Sequence, residues 1–236
     1  MKVMKLKFNP KTIENSPIKA YDAYAQNVIK AIKRNAVVDK ASFSRELHEL
    51  ADSFINQNAQ EQMNKKSAWL AESLVALKAD DLAGIVYSFL VKLKYGSPKL
   101  REKFAINALA IATRQKDSIH IMARANDLKE LYKLTAKGSD KHIKVLYQEK
   151  RALQDIIKNY DKLKSERKTI AKDLVPIEGY QKKLAAIKFE LGELLMRRDP
   201  VLAKVELQES KEIYSQFGAG SYTEKAELLL KKLELI

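Results

Sequence analysis

Glycine and proline are scarce in this chain, and their scarcity restricts the folds that it can adopt. Only 7 Gly and 5 Pro occur among 236 residues, too few for the turns that many short strands would need. Ala, Leu, Lys and Glu are common instead, and they favour helices because they lose little side-chain freedom in them. With 46% hydrophobic residues, the chain can also bury a core. We therefore predict an all-α fold.

Apolar residues recur at three- and four-residue steps along most of the chain, which predicts about ten amphipathic helices. Residues typical of helix ends separate these segments. They are Ser16-Pro17, Asp39, Gly96-Ser97-Pro98, Gly138-Ser139 and Asp199-Pro200. Because the implied connections are short, neighbouring helices should form antiparallel hairpins.

Residues 1–16 differ from the rest of the chain, since they lack a helical apolar period and contain Asn9-Pro10. We interpret them as a basic, loosely ordered N-terminal arm. Residues 17–236 form the predicted helical repeat domain, with a candidate division near 138–140. Within this domain, residues 140–175 are predicted to contain a long basic helix, which either packs on the repeats or projects from them.

A weak internal period suggests how the helices are arranged. Ala83, Ala123 and Ala203 are separated by multiples of 40 residues, and each follows a polar break in the pattern. We place each alanine early in the second helix of a helix pair, where close approach of the two helices favours a small side chain. The period therefore predicts stacked helix pairs, as in an α-solenoid.

The segment 189–214 resembles a tetratricopeptide repeat. The matching residues are Leu191, Gly192 and Leu195 in the first helix and Ala203 and Leu207 in the second. Ser210 stands where that family usually has Ala, and the closing stretch 222–233 is similar to the solvating last helix of such arrays. The resemblance covers residues 185–236 best and residues 65–136 more faintly. It implies an irregular tetratricopeptide-like α-solenoid whose concave face holds a peptide or protein segment.

Aromatic side chains at helical spacing with aliphatic residues are assigned to the core. They are Trp69, Tyr87, Phe89 and Phe104. An acidic group, Glu46 with Glu49 and Asp52, falls on one predicted helix and is interpreted as a solvated helix face.

The chain contains none of the motifs that mark common enzyme sites. It has no Cys, which excludes disulfides, thiolate nucleophiles and Cys-ligated metals. A Gly-rich phosphate loop, a helical His-x-x-x-His pair and a serine elbow are also absent from the sequence. His48, His120 and His142 lie far apart, so we interpret them as solvent-facing or core-edge residues. We predict no catalytic residue, no cofactor and no metal site.

Basic residues are concentrated in the middle of the chain. The formal net charge is +14, and residues 141–172 contain 10 basic and 4 acidic residues. Rows of cations on a helix can follow phosphate groups, although interleaved acidic residues also fit a solubilising face with i,i+4 ion pairs. The candidate polyanion-binding residues are Lys144, Lys150, Arg151, Lys158, Lys162, Arg167 and Lys168.

Two functional classes follow from these patterns. The first is a non-enzymatic helical-repeat scaffold that binds a protein or peptide partner. The alternative is a nucleic-acid-associated protein that binds phosphates through the basic arm and the 140–172 helix. A third class, an enzyme whose carboxylates converge only in the fold, stays open because fold does not fix function. No apolar run reaches the roughly 20 residues of a membrane span, so we expect a soluble, cytoplasmic protein. The oligomeric state is not encoded in any of these patterns.

Overall fold

The computed structural model describes residues 3–4, 16–56, 59–92, 96–166 and 175–234. In these ranges the chain forms eleven helices and one pair of two-residue strands. The predicted all-α fold of antiparallel helical hairpins is therefore confirmed. The chain divides into two compact units, Met1–Gln115 and Lys116–Ile236. The division thus falls earlier than the candidate boundary near 138–140, which lies inside a helical hairpin of the second unit.

The described residues of the first unit form five helices. They are α1 (Pro17–Lys33), α2 (Lys40–Asn56), α3 (Gln60–Ala76), α4 (Asp80–Lys92) and α5 (Pro98–Arg114). Helices α3, α4 and α5 pack as consecutive hairpins, while α1 lies against α2 and α3, and α2 also contacts α4. Strand β1 (Val3–Met4) pairs in parallel with β2 (Val37–Val38). The remaining residues of the predicted N-terminal arm, apart from Ser16, lie outside the described residues.

Aromatic rings fill the core of the first unit. The rings of Tyr21 and Phe54 meet edge to face at 6.0 Å, and those of Tyr24 and Phe43 stack at 6.1 Å. The Tyr21 hydroxyl donates a hydrogen bond to Ser67 Oγ at 2.8 Å, so its polar end is satisfied inside the core. Such pairs add about 0.5–1.5 kcal/mol each beyond the burial of their area.

Six helices are formed by the part of the second unit that the structure describes. They are α6 (Ser118–Thr135), α7 (Asp140–Lys158), α8 (Tyr160–Glu166), α9 (Ile177–Leu195), α10 (Pro200–Gln216) and α11 (Gly220–Leu233). Helices α6 and α7 form one hairpin and α9 and α10 another, while α7 packs on α9 and α10 packs on α11. The second helix of each pair thus contacts the first helix of the next, which is the order of an α-solenoid.

Helix starts agree with the sequence patterns. The side chains of Ser16, Ser97, Ser139 and Asp199 each accept a backbone N–H of the first turn. Pro17, Pro98 and Pro200 follow three of these caps at the first helical position, where a missing N–H costs nothing. Gly138 takes the left-handed conformation, with φ of +75°, after α6.

Gly192, one of the residues that carries the resemblance, lies where two helices are in close contact. A Cβ added at this buried glycine of α9 would lie 2.5 Å from Leu207 Cγ and 3.3 Å from the Ala203 carbonyl oxygen of α10. Ala203 is fully buried, and the Ser210 hydroxyl donates to the Ala185 carbonyl at 2.8 Å across the same pair. Small side chains therefore let the two helices approach closely.

The predicted phase of the repeat is wrong at Ala123. Helix α6, which carries it, pairs within its unit with the following helix α7, so it is the first helix of a hairpin and not the second. Ala123 is only half-buried, whereas Ala125, two residues later, is fully buried. The spacing of 40 residues therefore does not describe equivalent positions throughout the chain.

The predicted long helix from 140 to 175 is interrupted. Helix α7 ends at Lys158, and Asn159 turns the chain before the short helix α8 begins. The Asn159 side-chain amide donates to the Asp155 carbonyl at 3.0 Å and to the Asp155 carboxylate at 2.9 Å. Local bonds of this kind compete with the helical ladder. Residues 167–174 lie outside the described residues.

Two assignments in the first unit are wrong: Trp69 was assigned to the core and Glu46 to a solvated helix face. Trp69 is 44% exposed, because Met63, Leu70 and Leu74 form the buried face of α3 and position 69 lies at its edge. Glu46 is only 5% exposed, since it lies one turn from Phe43 and Leu50 on the apolar face of α2. Tyr87, Phe89 and Phe104 are buried as predicted.

Candidate binding surfaces of the second unit

The second unit carries a groove formed by side chains of α6, α9, α10 and α11. We call it the groove; it encloses about 420 Å³, and its aromatic and apolar lining includes Phe189, Leu194 and Tyr222. The ring of Tyr222 is 49% exposed and stacks on buried Tyr214, with centroids 4.9 Å apart. A buried ring thus supports an exposed one, which fixes the orientation of the Tyr222 side chain.

Charged residues of both signs border the groove. Lys133 Nζ on α6 lies 3.2 Å from a carboxylate oxygen of Glu190 on α9 and 3.3 Å from Glu130. Lys137 and Glu193, which also line the groove, are exposed at its border. Lys133 is therefore largely neutralised by its neighbours, whereas Lys137 and Glu193 present their charges to solvent.

His142 lies fully buried behind the groove, which corrects its assignment to solvent or the core edge. Its Nδ1 accepts the Gly138 N–H at 3.2 Å, which places the proton of the neutral ring on Nε2. That atom faces Glu190 at 3.4 Å. Burial lowers the pKa of His142, and the Glu190 charge opposes this shift only in part. The other two histidines, His48 and His120, are exposed.

A buried ion pair joins α6 to α7. Lys129 Nζ lies 3.0 Å from Glu149, and both side chains are less than 10% exposed. Burial raises the pKa of Glu149, although the Lys129 charge opposes the shift. Removing either partner would leave a buried charge without its main counter-charge, since the only other carboxylate near Lys129 among the described ion pairs is the exposed Glu130 at 3.9 Å.

A second buried cluster joins α7, α9 and α10 at Glu206. Its carboxylate forms an ion pair with Lys150 of α7 and lies 3.5 Å from Lys188 of α9. Lys150 Nζ also lies 5.3 Å from the centre of the Tyr147 ring. Lys150 was predicted as a polyanion-binding residue, but the structure turns it inward as a partner of Glu206. The missing information was the position of Glu206, which is 56 residues away in sequence.

The remaining predicted cations are distributed over the surface. Lys144, Arg151, Lys158 and Lys162 are exposed. Lys162 lies 3.9 Å from Glu166, one turn further on. Arg167 and Lys168 lie outside the described residues.

Lys144 and Arg151 meet a third cation that the sequence patterns did not indicate. Together with Arg198, which follows α9, they line a cleft of about 520 Å³. We call it the basic cleft; Ile143, Tyr147 and Leu195 form its apolar wall. Arg198 lies 2.5 Å from Asp140, so part of its charge is compensated. Arg198 stands in a helix connection without a pattern of its own, and only the packing of α7 on α9 reveals its place.

Comparison with known proteins assigns no function to these surfaces, since no family model and no curated protein sequence matches the chain. Among residues 16–56, 59–92, 96–166 and 175–234, no helix is both long and apolar enough to cross a bilayer. In those same ranges, no group of three His, Asp or Glu side chains is placed to hold a metal ion. The groove and the basic cleft are therefore the surfaces on which a functional proposal can rest.

Proposed function

We propose that this protein is a non-enzymatic helical-repeat scaffold whose second unit binds a peptide segment of a protein partner in the groove. The observation that carries the proposal is the exposed Tyr222 ring beside Phe189 and Leu194. Aromatic side chains held by their neighbours lose little freedom on binding and often contribute most of the binding energy. The resemblance of α9 and α10 to a tetratricopeptide hairpin also supports this function.

The charges at the border suggest what such a segment contains. An apolar or aromatic side chain would pack against Phe189 and Tyr222, where it removes apolar surface from water. Lys137 and Glu193 would select an acidic and a basic residue on either side of it, because like charges at those positions would be repelled. A short amphipathic segment with one central anchor fits this arrangement best.

Peptides selected from a displayed random library against the full chain would test the proposal. We expect enriched sequences with one large apolar residue flanked by charges. Their affinity should fall at least about tenfold, or 1.4 kcal/mol, for the double variant F189A/Y222A. Fluorescence polarisation with the selected peptides would measure the loss.

The matched control is L134A/V201A, which removes two apolar side chains that are 83% and 78% exposed outside the groove lining. It should bind the selected peptides as the unaltered chain does. Equal affinity of F189A/Y222A and the unaltered chain would contradict the proposal, provided that the two have the same far-UV circular dichroism.

A further inference from the structure

Three cations form a row along α7. Lys144, Arg151 and Lys158 are seven residues apart, so they share one helix face at steps of about 10.5 Å. All three side chains are exposed, and in the described part of the chain none of them forms an ion pair. Structural pairing therefore does not account for these cations, in contrast to Lys150.

The row begins at the basic cleft, where an aromatic side chain adds a second kind of contact. Tyr147 lines the cleft between Lys144 and Arg151, and the ammonium group of Lys150 lies 5.3 Å from the centre of its ring. Its hydroxyl is shielded from solvent and has no hydrogen-bond partner among the residues that the structure describes. Ile143 and Leu195 complete an apolar wall, so the cleft offers cations at its edge and an apolar surface inside.

We propose that this surface binds single-stranded nucleic acid, with phosphates on Lys144, Arg151 and Lys158 and one unpaired base in the basic cleft against Tyr147. The proposal is independent of peptide binding in the groove, because the two surfaces share no lining residue.

The spacing and the aromatic wall together favour this ligand. A stacked strand carries a phosphate about every 3.4 Å along its axis, so cations about 10.5 Å apart meet every third phosphate. An acidic peptide could match that spacing as well, but its carboxylates would gain no favourable contact from the apolar wall of the cleft. A base stacked on an aromatic ring gains about 1–3 kcal/mol in single-strand binding proteins. A duplex keeps its bases paired and would leave the cleft empty.

Two acidic side chains lie close to the row and reduce its positive charge only locally. Asp155 lies between Arg151 and Lys158 on α7, but its carboxylate accepts hydrogen bonds from Ser118 and Asn159. Asp140 pairs with Arg198 at the far end of the cleft. Neither carboxylate forms an ion pair with a cation of the row.

Titration of the full chain with a labelled 20-nucleotide oligothymidylate across 50–200 mM NaCl tests the proposal. Three phosphate contacts predict a slope of log K against log salt of about −2, since each contact on a single strand contributes about −0.7. The variant K144A/R151A should make the slope shallower by about 1.4 and weaken binding at 50 mM by roughly 50-fold. The control K204A/K232A removes two exposed lysines of α10 and α11 and should retain the slope and affinity of the unaltered chain.

Competition with polyglutamate and with a 20-base-pair duplex identifies the ligand class. We expect both to compete at least tenfold more weakly than unlabelled oligothymidylate. The proposal is overturned if the chain does not bind the oligonucleotide at 50 mM salt, or if K204A/K232A loses as much affinity as K144A/R151A. If polyglutamate competes as well as the oligonucleotide, the ligand is an acidic protein instead. If the duplex competes equally well, the placement of an unpaired base in the cleft is wrong.

Discussion

The interior of the first unit is filled mainly by aromatic rings, with the Glu46 carboxylate buried beside them, whereas the interior of the second contains lysine and glutamate side chains paired with each other. Tyr21, Tyr24 and Phe54 are fully buried in the first unit. In the second unit, Lys129 and Glu149 are buried as a pair, and Glu206 joins three helices. Rings in a core tolerate several packing arrangements, but a buried charge requires its partner at one position. The second unit should therefore depend more strongly on single side chains.

Loss of Glu206 should have the largest effect on the stability of the second unit. The variant E206A leaves Lys150 and Lys188 without their shared buried carboxylate, which should cost about 3–5 kcal/mol of unfolding free energy. E209A is the matched control, because Glu209 also pairs with Lys188 but is 48% exposed. It should cost less than about 1 kcal/mol. Urea unfolding followed by far-UV circular dichroism measures both.

The single tryptophan allows unfolding of the first unit to be followed separately from unfolding of the second. Trp69 is the only Trp of the chain and lies in the first unit, so its fluorescence reports that unit alone. E206A should shift the dichroism transition and leave the fluorescence transition in place. Equal shifts in both signals would contradict a separate dependence of the second unit on Glu206, since the two units would then unfold together.

A methyl group added at Gly192 should have the next largest effect. The new Cβ would contact Leu207 Cγ and the Ala203 carbonyl, so G192A should cost about 1–3 kcal/mol through overpacking. The control G84A lies in α4 of the first unit, where the nearest atom to the added Cβ is Ile111 Cγ2 at 3.3 Å. There the gain in helix propensity, up to about 1 kcal/mol, should offset the crowding. Thermal unfolding of the two variants would separate these outcomes, and an equal cost at both sites would show that α9 and α10 are no more closely packed than α4 and α5.

Local patterns predicted the helices and their caps, because Ser16, Ser139 and Asp199 act within one turn of their own positions. The close approach of α9 and α10 at Gly192 depends on small residues in adjacent helices, and of these the sequence patterns place Ala203 at a helix contact. Glu46 could have been placed in the core, because it falls on the same helical stripe as Phe43 and Leu50. Lys150 and Arg198 could not be assigned, because their surroundings come from helices far away in sequence. Sequence patterns therefore predict the helical framework but only part of its surfaces.

Acidification should have the smallest effect on the free energy of unfolding. The contributions of two buried groups, His142 and Glu46, should have opposite signs. Burial lowers the pKa of His142, so between its folded pKa and the unfolded value of about 6.5 the unfolded chain binds more protons. Its contribution is thus present above pH 6.5 and is lost as the pH falls through the folded pKa. Burial raises the pKa of Glu46, so the first unit gains stability as the pH falls through that pKa.

Urea unfolding of the unaltered chain and of H142Q at pH 7.5, 6.5 and 5.5 isolates the histidine. We expect H142Q to be less stable at pH 7.5, and the gap to narrow on acidification by at most about 1.4 kcal/mol per pH unit. E149Q serves as the control, because burial raises the pKa of Glu149 and its effect has the opposite sign. A constant gap between H142Q and the unaltered chain would mean that His142 keeps its proton occupancy on unfolding.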